Sequence, residues 1–324
     1  MDLDLRLVRY FVAVADELHF GRAAATLHIS QPALSKQLRR LEDQLGFALF
    51  LRDSRHVALT PEGDRFLREA RTLLAQVTRM THPRTTGVRM AHIFGLDTSR
   101  TISDAFAAES PDVPVTEHSI DSVRQFSALM AGLLDVAIIR LTPAMRAEHP
   151  TGWRHRLIRL EPFWLIGRRG DAAPRTASFH GRPVKVFGDP PRSGLFNAHG
   201  EYLALLEDRL DTTFRWLGNP GTFEQCEPRM LRATGSEYLL EFDSYARRYR
   251  DLGYPVSAPR EIQPVYPWSL VWRDEPLTAE ISGFLDAAIA TSEQRAWMSP
   301  AHEAPLWAPE PHAAGELRTI GAQD

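Results

Sequence analysis

The sequence predicts an α/β protein in which a small helical module with a β-hairpin, a long helix and a larger α/β body follow one another. Three observations lead to this prediction. The chain has 324 residues, more than one typical domain contains. Its first 60 residues hold three helical patterns followed by two short β runs. Beyond residue 87, strand-like runs alternate with helical ones, which is typical of a parallel sheet covered on both faces.

Apolar spacing and helix propensity predict the first two helices. Four residues recur at helical spacing and predict one helix over residues 3–16: Leu3, Leu7, Phe11 and Val14. After a break at "ELHFG", the run "RAAATL" favours a short second helix, because alanine and leucine are good helix formers. The next three residues, "HIS", are predicted as the turn that follows it.

The third helix is predicted from "SQPALSKQLRRLEDQLG". Ser30 is placed to cap its N-terminus, and Pro32 is tolerated because the first-turn amides have no intrahelical partner. Gly46 is a plausible C-cap. Four leucines recur at i, i+4, i+7 and i+11 and form one apolar stripe: Leu34, Leu38, Leu41 and Leu45. The polar side chains of this helix fall on its other faces.

A hairpin and a long helix follow. The runs "ALFLR" and "HVALT" flank Asp53, Ser54 and Arg55, a pattern that predicts two short antiparallel strands. Thr60 is then placed as an N-cap with Pro61 at the first helical position. The apolar residues of this helix are too many for a solvated linker: Phe66, Leu67, Leu73, Leu74 and Val77. "THPRTTG" ends the helix and predicts a domain boundary.

The body alternates between strands and helices. Strands are predicted at "VRMAHIF", "VPVTEHSI", "LDVAIIR", "RPVKVFG", "TTFRWLG" and "WSLVWR", and helices at "SRTISDAFAAES", "SVRQFSALMAGL", "EYLALLEDRL" and near "LTAEISGFLDAAIATSEQRAWM". "EPRMLRATGSEYLLEF" is predicted as a helix followed by a strand. Past Pro300 the sequence is rich in Pro and Ala and lacks periodicity, which predicts a disordered tail over residues 300–324.

Composition narrows the class of protein. Hydrophobic residues make up 44% and charged residues 24% of the chain, as in ordinary globular proteins. "MDLDLRLVRY" has no apolar signal region, and the apolar runs are shorter than the roughly 18 residues that a membrane span requires. One cysteine, Cys226, excludes an internal disulfide. We therefore expect a cytoplasmic protein that does not enter a membrane.

The charge is distributed unevenly along the chain. The net charge is −3, but residues 1–82 hold 12 Arg and Lys against 10 Asp and Glu, a balance of +2. Residues 20–59 hold six basic and three acidic side chains. A locally basic head is thus joined to an acidic body, and the overall sign says nothing against DNA as a partner.

The order of helix, short helix, turn, helix and hairpin is that of a winged helix-turn-helix. The amide of Gln31 can pair with adenine in the major groove, and Ser35, one turn on, can donate to a phosphate or base. Lys36 and Arg39 lie beside them and suit phosphate or guanine. Arg52 and Arg55, at the hairpin tip, can reach phosphates or a minor groove. The alternative is an amphipathic helix with a solvated basic face.

Residues 1 to about 80 closely resemble the N-terminal domain of LysR-type transcriptional regulators. The run "RAAATLHISQPALSKQLRRLEDQLG", followed by "LF", an arginine and "LTPEG", carries the resemblance. It implies that Gln31, Pro32, Ser35 and Lys36 meet double-stranded promoter DNA, and that Arg52 or Arg55 acts from the wing. It also implies a linker helix over residues 61–82 that joins two subunits into a homodimer, with a homotetramer expected for the family.

The resemblance continues through "FAAESPDVPVTEHSIDSVRQFSALMAGLLDVAIIR", "ATGSEYLLEF" and "WSLVWRDEP". It implies a two-subdomain α/β effector-binding domain that resembles periplasmic binding proteins, with a small-molecule effector in the cleft. Free amides at helix N-termini favour an anionic effector there. The candidate residues are Thr98, Ser99, Ser122, Gln125 and Arg192; simple helix capping is the alternative for each polar residue. "GSEYLLEF" departs from the family's glycine-rich turn and leaves the effector class open.

The implied organisation is a winged helix-turn-helix at 1–60, the linker helix at 61–82, a hinge at 83–87 and an effector-binding domain at 88–299. Its first subdomain takes about 88–165 and 268–299, and its second about 166–267. No G-x-S-x-G or H-E-x-x-H motif occurs, and the histidines lack ligand spacing, so we expect no enzyme, cofactor or metal. Two alternatives remain: a ligand-insensitive regulator with a vestigial cleft, and an enzyme with an accessory DNA-binding head.

Overall fold

The computed structural model describes residues 3–52, 57–81, 87–93, 96–172, 174–191, 197–218, 237–300 and 302–309. The chain divides into two compact units, Met1–Thr85 with Met130–Leu133 and Thr86–Leu129 with Leu134–Asp324. Arg55, Arg192 and Cys226 lie outside the described residues.

The N-terminal unit has the predicted order of elements. They are α1 (Leu5–Glu17), α2 (Phe20–Thr26), α3 (Gln31–Leu45), β1 (Phe50–Arg52), β2 (Val57–Leu59) and α4 (Pro61–Thr81). Helix α2 begins two residues before the predicted start at Arg22. The cause is His19, whose Nδ1 accepts hydrogen bonds from the backbone N–H groups of Gly21 at 3.0 Å and Arg22 at 3.2 Å and so caps the helix.

Helix α3 starts and ends as predicted. The Ser30 hydroxyl accepts from the Ala33 amide at 3.4 Å. Gly46 ends the helix with φ +79°, a left-handed conformation that glycine adopts without steric cost. Three of the four predicted stripe residues, Leu34, Leu38 and Leu41, are fully buried. They pack in one cluster with Leu7, Phe11 and Val14 of α1, Leu49 and Phe50 at the wing, and Leu67 and Ala70 of α4.

The wing is a short antiparallel pair joined tightly to α4. Phe50 lies opposite Leu59, and Arg52 lies opposite Val57. The Thr60 hydroxyl donates to the Ala48 carbonyl at 2.7 Å and accepts from the Gly63 amide at 2.8 Å, so the predicted cap is present. A side chain at Gly63 would overlap the carbonyl oxygen of Leu49. The glycine of "LTPEG" therefore lets α4 begin directly against the wing.

The second unit is built on a mixed sheet. Its described strands are β3 (Val88–His92), β4 (Val115–Ser119), β5 (Val136–Ile139), β6 (Trp153–Ile166), β7 (Thr176–Ala177), β8 (Val184–Val186), β9 (Phe214–Trp216), β10 (Tyr238–Phe242), β11 (Val256–Pro259), β12 (Gln263–Arg273) and β13 (Leu306–Trp307). Its described helices are α5 (Asp97–Glu109), α6 (Ser122–Met130), α7 (Pro143–Glu148), α8 (Ala198–Leu210), α9 (Asp243–Asp251) and α10 (Ala279–Gln294).

Two long antiparallel strands, β6 and β12, join the two halves of this sheet. The first half has the order β4-β3-β5-β12-β6, and the second continues through β10, β8 and β9. Strands β3, β4 and β5 are parallel, as are β8, β9 and β10. The register of β6 and β12 shifts between Trp268 and Ser269, close to the subdomain boundary predicted at 267/268. This is the two-part α/β architecture that the resemblance implied.

Part of the tail predicted as disordered is folded. Strand β13 pairs with the start of β12, where Gln263 lies opposite Leu306 and Pro264 opposite Trp307. The Trp307 ring lies 5.5 Å from the Tyr202 ring, and Ala308 is buried. The sequence carries no periodicity here because only two residues pair, and nonlocal packing orders the segment. Residues 310–324 lie outside the described residues.

Candidate functional site

Helix α3 presents a polar, basic face opposite its buried leucines. Gln31, Pro32, Lys36 and Arg39 are exposed, and Ser35 is half-buried. At about 100° per residue these side chains share one side of the helix, to which Arg40, also exposed, adds a third cation. The apolar stripe holds the helix down, so this face is free to contact a partner.

Among the described residues, no acidic side chain neutralises the three cations of this face. Over the described ranges, Lys36, Arg39 and Arg40 form no salt bridge, whereas Arg22 on the neighbouring helix pairs with Glu17 at 3.0 Å. Unpaired cations on one helix face attract polyanions and suit phosphate contacts.

Glu42, an acidic residue of the same helix, points to the wing instead of the basic face. Its Oε1 accepts hydrogen bonds from the backbone N–H groups of Leu49 at 2.9 Å and Phe50 at 3.3 Å. The carboxylate thus fixes the wing strand against α3. Sequence reasoning missed this role, because an acid in a polar helix gives no sign of a backbone partner seven residues away.

The wing itself is only partly described. The backbone of Arg52 belongs to β1, but its side chain and residues 53–56, including Arg55, lie outside the described residues. DNA contacts by Arg52 and Arg55 therefore stay predictions. Leu51, in the described part of β1, is 59% exposed.

The residues predicted to bind an effector are buried in the second unit. Thr98, Ser99, Ser122 and Gln125 are each at most 4% exposed, and Arg192 lies outside the described residues. The Gln125 Nε2 donates to the Ile120 carbonyl at 2.8 Å. The amides at the start of α6 are satisfied by Asp121, whose Oδ1 accepts from Val123 and Arg124, both at 3.0 Å. Ser122 therefore does not cap α6, and Asp121 already provides the anion there.

A small cavity adjoins Thr98 and Ser99. Its volume is about 170 Å³ with its open mouth included, and it is lined by His92, Ile93, Leu96, Thr98, Ser99, Ile138 and Trp268. Burial lowers the pKa of His92, against the opposing effect of Glu117, whose Oε2 lies 3.3 Å from Nδ1. Pockets for drug-sized ligands usually measure about 300–1,000 Å³. This cavity is smaller than that.

A buried charge cluster lies where the two halves of the sheet meet. Arg159, on β6, has a side chain only 3% exposed and contacts Asp97, Glu161 and Asp243. Its Nη1 also donates to the Thr98 hydroxyl at 2.8 Å. Burial alone would lower the pKa of Arg159, but Glu161 and Asp97 outweigh it and raise this pKa. The guanidinium group also lies 4.9 Å from the centre of the Trp297 ring, within cation–π range.

The carboxylates of this cluster are held by groups from both halves. Glu161 is fully buried and accepts from the Ser244 amide at 3.0 Å and from Trp268 Nε1 at 2.7 Å. Burial raises the pKa of Glu161, against the opposing effects of Arg159 and Ser244. Burial would also raise the pKa of Asp97, but Arg159, Ser244 and Arg247 hold it below its usual range. Sequence reasoning missed Asp97, Arg159 and Glu161, because their partners are far apart in the chain.

A second buried arginine also links the halves. Arg140, which follows β5, is 1% exposed. Its Nη1 donates to the Ala198 carbonyl and to Glu201 Oε2 of α8, both at 2.7 Å. Within the described residues, charged groups of the chain therefore bridge the halves of the sheet at two places.

The described ranges also show whether their residues form a membrane-spanning helix or a metal site. None of their helices is both long and apolar enough to cross a membrane. In the same ranges, no group of three or more His, Cys, Asp or Glu side chains could hold a metal ion.

The sequence of this chain is similar to those of known helix-turn-helix regulators. A family model described as "Bacterial regulatory helix-turn-helix protein, lysR family" matches residues 5–64. The regulator YnfL of Escherichia coli K12 is 37% identical over 176 residues, which cover 51% of this chain and 58% of YnfL. The regulator TfdT of Cupriavidus pinatubonensis is 35% identical over 160 residues, which cover 47% of this chain and 69% of TfdT. For most of these curated relatives the match thus spans about half of their length.

Solved structures show the same fold. Full-length BenM superposes with a TM-score of 0.52 at 20% identity, covering 93% of this chain and all of BenM. Full-length CbnR in complex with its target DNA gives 0.50 at 21% identity, covering 90% of this chain and all of CbnR. Fold and sites define a helix-turn-helix protein with a two-part α/β body. The chain belongs to the LysR family.

Proposed function

We propose that this protein is a transcriptional regulator that binds promoter DNA through its N-terminal unit. The observation that carries the proposal is the exposed face of α3, which bears Gln31, Lys36 and Arg39, while the leucine stripe of the same helix is buried. Among the described residues, Lys36 and Arg39 have no ion-pair partner. Lys36 and Arg39 supply phosphate contacts, and Gln31 supplies base recognition. Arg52 and Arg55 extend the contact from the wing. The protein acts in the cytoplasm, at the bacterial nucleoid.

The regulator works as a homo-oligomer in this proposal. Residues 61–82, which contain α4, join two subunits, and a second contact makes a homotetramer. Leu67 and Ala70 pack into the N-terminal core, whereas Leu73 and Val77, farther along α4, are only half-buried. Two-fold symmetry of the dimer predicts operator half-sites related by a dyad and separated by one or more helical turns.

The α/β body senses a small molecule in this proposal, and the effector acts through its different affinity for two oligomer geometries. Asp121 already accepts from the first-turn amides of α6, and Asp97, at the start of α5, is already bound by Arg159. Because the chain's own carboxylates occupy these positions, we expect the regulator to be insensitive to ligands that bear a single carboxylate. For such ligands the observation favours the alternative of a ligand-insensitive regulator. The relatives compared above are named as transcriptional regulators, which disfavours the enzyme alternative.

Replacing Gln31 with Ala is expected to relax base preference at one operator position. A bidentate amide–adenine pair contributes about 1–3 kcal/mol of discrimination, so affinity for the preferred sequence should fall about 5- to 150-fold, while affinity for unrelated DNA stays nearly unchanged. Gel-shift titrations of the full chain on operator and single-base variants measure the effect. Unchanged base preference in Gln31→Ala would show that α3 does not read bases through this residue.

Lys36→Ala is the matched comparison for phosphate contact. It should weaken binding to all sequences alike and lower the salt dependence of binding by about one phosphate contact, a change of about 0.9 in the logarithmic slope. Arg100→Ala, which removes one exposed positive charge from α5 of the body, should change neither quantity. Equal effects of Lys36→Ala and Arg100→Ala would contradict the assigned face.

A further inference from the structure

We propose that Asp97 is an internal ligand: its carboxylate occupies a carboxylate-binding site at the junction of the two sheet halves and holds them closed. The inference rests on the proposed function in one respect: a ligand that displaces Asp97 from this site is called an effector. Its geometry is independent of DNA binding.

The donors of the site belong to β6 and α9. Arg159 projects from β6 with a side chain 3% exposed, and its Nη1 also contacts Thr98 at the start of α5. Ser244 and Arg247 belong to α9, in the second half of the sheet. Guanidinium and hydroxyl groups are donors that bind carboxylates.

Asp97 fills this site from within the chain. Its Oδ1 accepts hydrogen bonds from Arg159 Nη1 and lies 2.7 Å from the Ser244 hydroxyl, and its Oδ2 lies 3.4 Å from Arg247 Nη1. Because Asp97 belongs to α5 in the first half of the sheet, these contacts tie the first half to the second. The Asp97 side chain remains 38% exposed, so a ligand can reach its position from solvent.

The site is crowded with negative charge. Arg159 also contacts Glu161 and lies 4.0 Å from Asp243, and the Ser244 hydroxyl contacts Glu161 as well as Asp97. A hydroxyl has one proton, so it donates to one of these carboxylates at a time. Among the described residues, three carboxylates therefore face two guanidinium groups. Asp97 is the most exposed of the three, so a carboxylate from a ligand enters by displacing it.

The covalent attachment of Asp97 to the chain determines which ligands can displace its carboxylate. A group joined to its site by a short segment competes at an effective concentration in the millimolar range or above. A simple carboxylate that binds in the millimolar range cannot displace Asp97, so the wild-type chain should be insensitive to such compounds. Removing the Asp97 carboxylate should expose a site for small carboxylates in the same chain.

Thermal unfolding of the full chain in formate tests this. Asp97→Ala, which removes a group the size of formate, should show a saturable rise in Tm of about 3 °C with a midpoint in the millimolar range. Sodium chloride at equal ionic strength should not reproduce the rise. The wild type and the matched control Asp104→Ala, an exposed ion-paired position on the same helix, should respond at least about 10-fold more weakly. A formate response of Asp97→Ala equal to that of Asp104→Ala would overturn the proposal.

Hydrogen exchange of the isosteric Asp97→Asn variant decides the question if Asp97→Ala does not fold. Loss of the carboxylate should speed amide exchange about 10-fold or more at the start of α9, around Ser244, whereas Asp104→Asn should leave it unchanged. Unchanged exchange in Asp97→Asn would contradict the role of Asp97 as an internal ligand that holds the two sheet halves closed. Neither measurement involves DNA, so a failure of the proposed DNA binding would leave both results standing.

Discussion

Replacing Arg159 with Met is expected to lower the free energy of unfolding of the α/β unit by about 3–5 kcal/mol at pH 7. The loss arises because Glu161 is fully buried and would keep its position without a cation. Asp97 and Asp243 would lose their shared partner at the same time. Methionine fills much of the arginine volume, so the cost reflects the uncompensated buried charge more than a cavity.

Urea unfolding followed by tryptophan fluorescence measures this change selectively. All seven tryptophans of the chain lie between residues 153 and 307, so the signal reports on the α/β unit alone. The control is Arg154→Met on the same strand, where an exposed arginine pairs with exposed Asp274; such pairs contribute about 0–1 kcal/mol. The difference between wild type and Arg159→Met should shrink below pH 5. The depressed pKa of Asp97 gives a stabilisation present above its unfolded pKa and lost as pH falls through the folded one. Equal losses in both variants would contradict the role of the buried network.

Glu241→Gln is expected to stabilise the α/β unit at alkaline pH and to leave it nearly unchanged at pH 5. Burial, with a smaller contribution from Glu161, raises the pKa of Glu241 from about 4.5 to about 8. The folded state therefore binds this proton more tightly than the unfolded state does. Wild-type stability should fall as pH rises from about 4.5 to about 8, by up to about 3–5 kcal/mol for a shift of this size.

The glutamine variant has no charge to bury and should lack this loss, while its amide oxygen can still accept from the Phe242 N–H. Urea midpoints at pH 5, 7 and 9, read by the same tryptophans, give the comparison. Asp286→Asn, at an exposed position of α10, should follow the wild-type curve at every pH. A constant offset between Glu241→Gln and wild type across this range would show that Glu241 does not titrate there.

The sequence predicted the N-terminal unit best, because its elements are specified by local patterns. The leucine stripe, the Ser30 cap and the Gly46 terminus of α3 are all properties of neighbouring residues. The start of α2 was missed because a histidine Nδ1 takes the capping role there. Strand β6 was missed for a different reason. Arg159 and Glu161 interrupt its apolar run, and the hydrogen bonds and ion pairs that offset the desolvation of these two charges involve distant segments.

The candidate sites show the same contrast between features set by neighbouring residues and features set by residues far apart in the chain. The polar face of α3 follows from helix periodicity, since the exposed positions are those left by the stripe. In the body, Thr98 and Ser99 were placed correctly at the start of α5, but the sequence could not show that Asp97 occupies the same place. Its partner Ser244 lies 147 residues away, and no local pattern connects them.

Binding of the full chain to DNA from its own upstream region tests the central claim most directly. A footprint should show two protected half-sites related by a dyad and spaced by one or more helical turns. Affinity should fall steeply with salt, and unrelated DNA should compete at least about 10³-fold less well. Binding indifferent to both salt and sequence would contradict the assignment of this chain as a promoter-binding regulator.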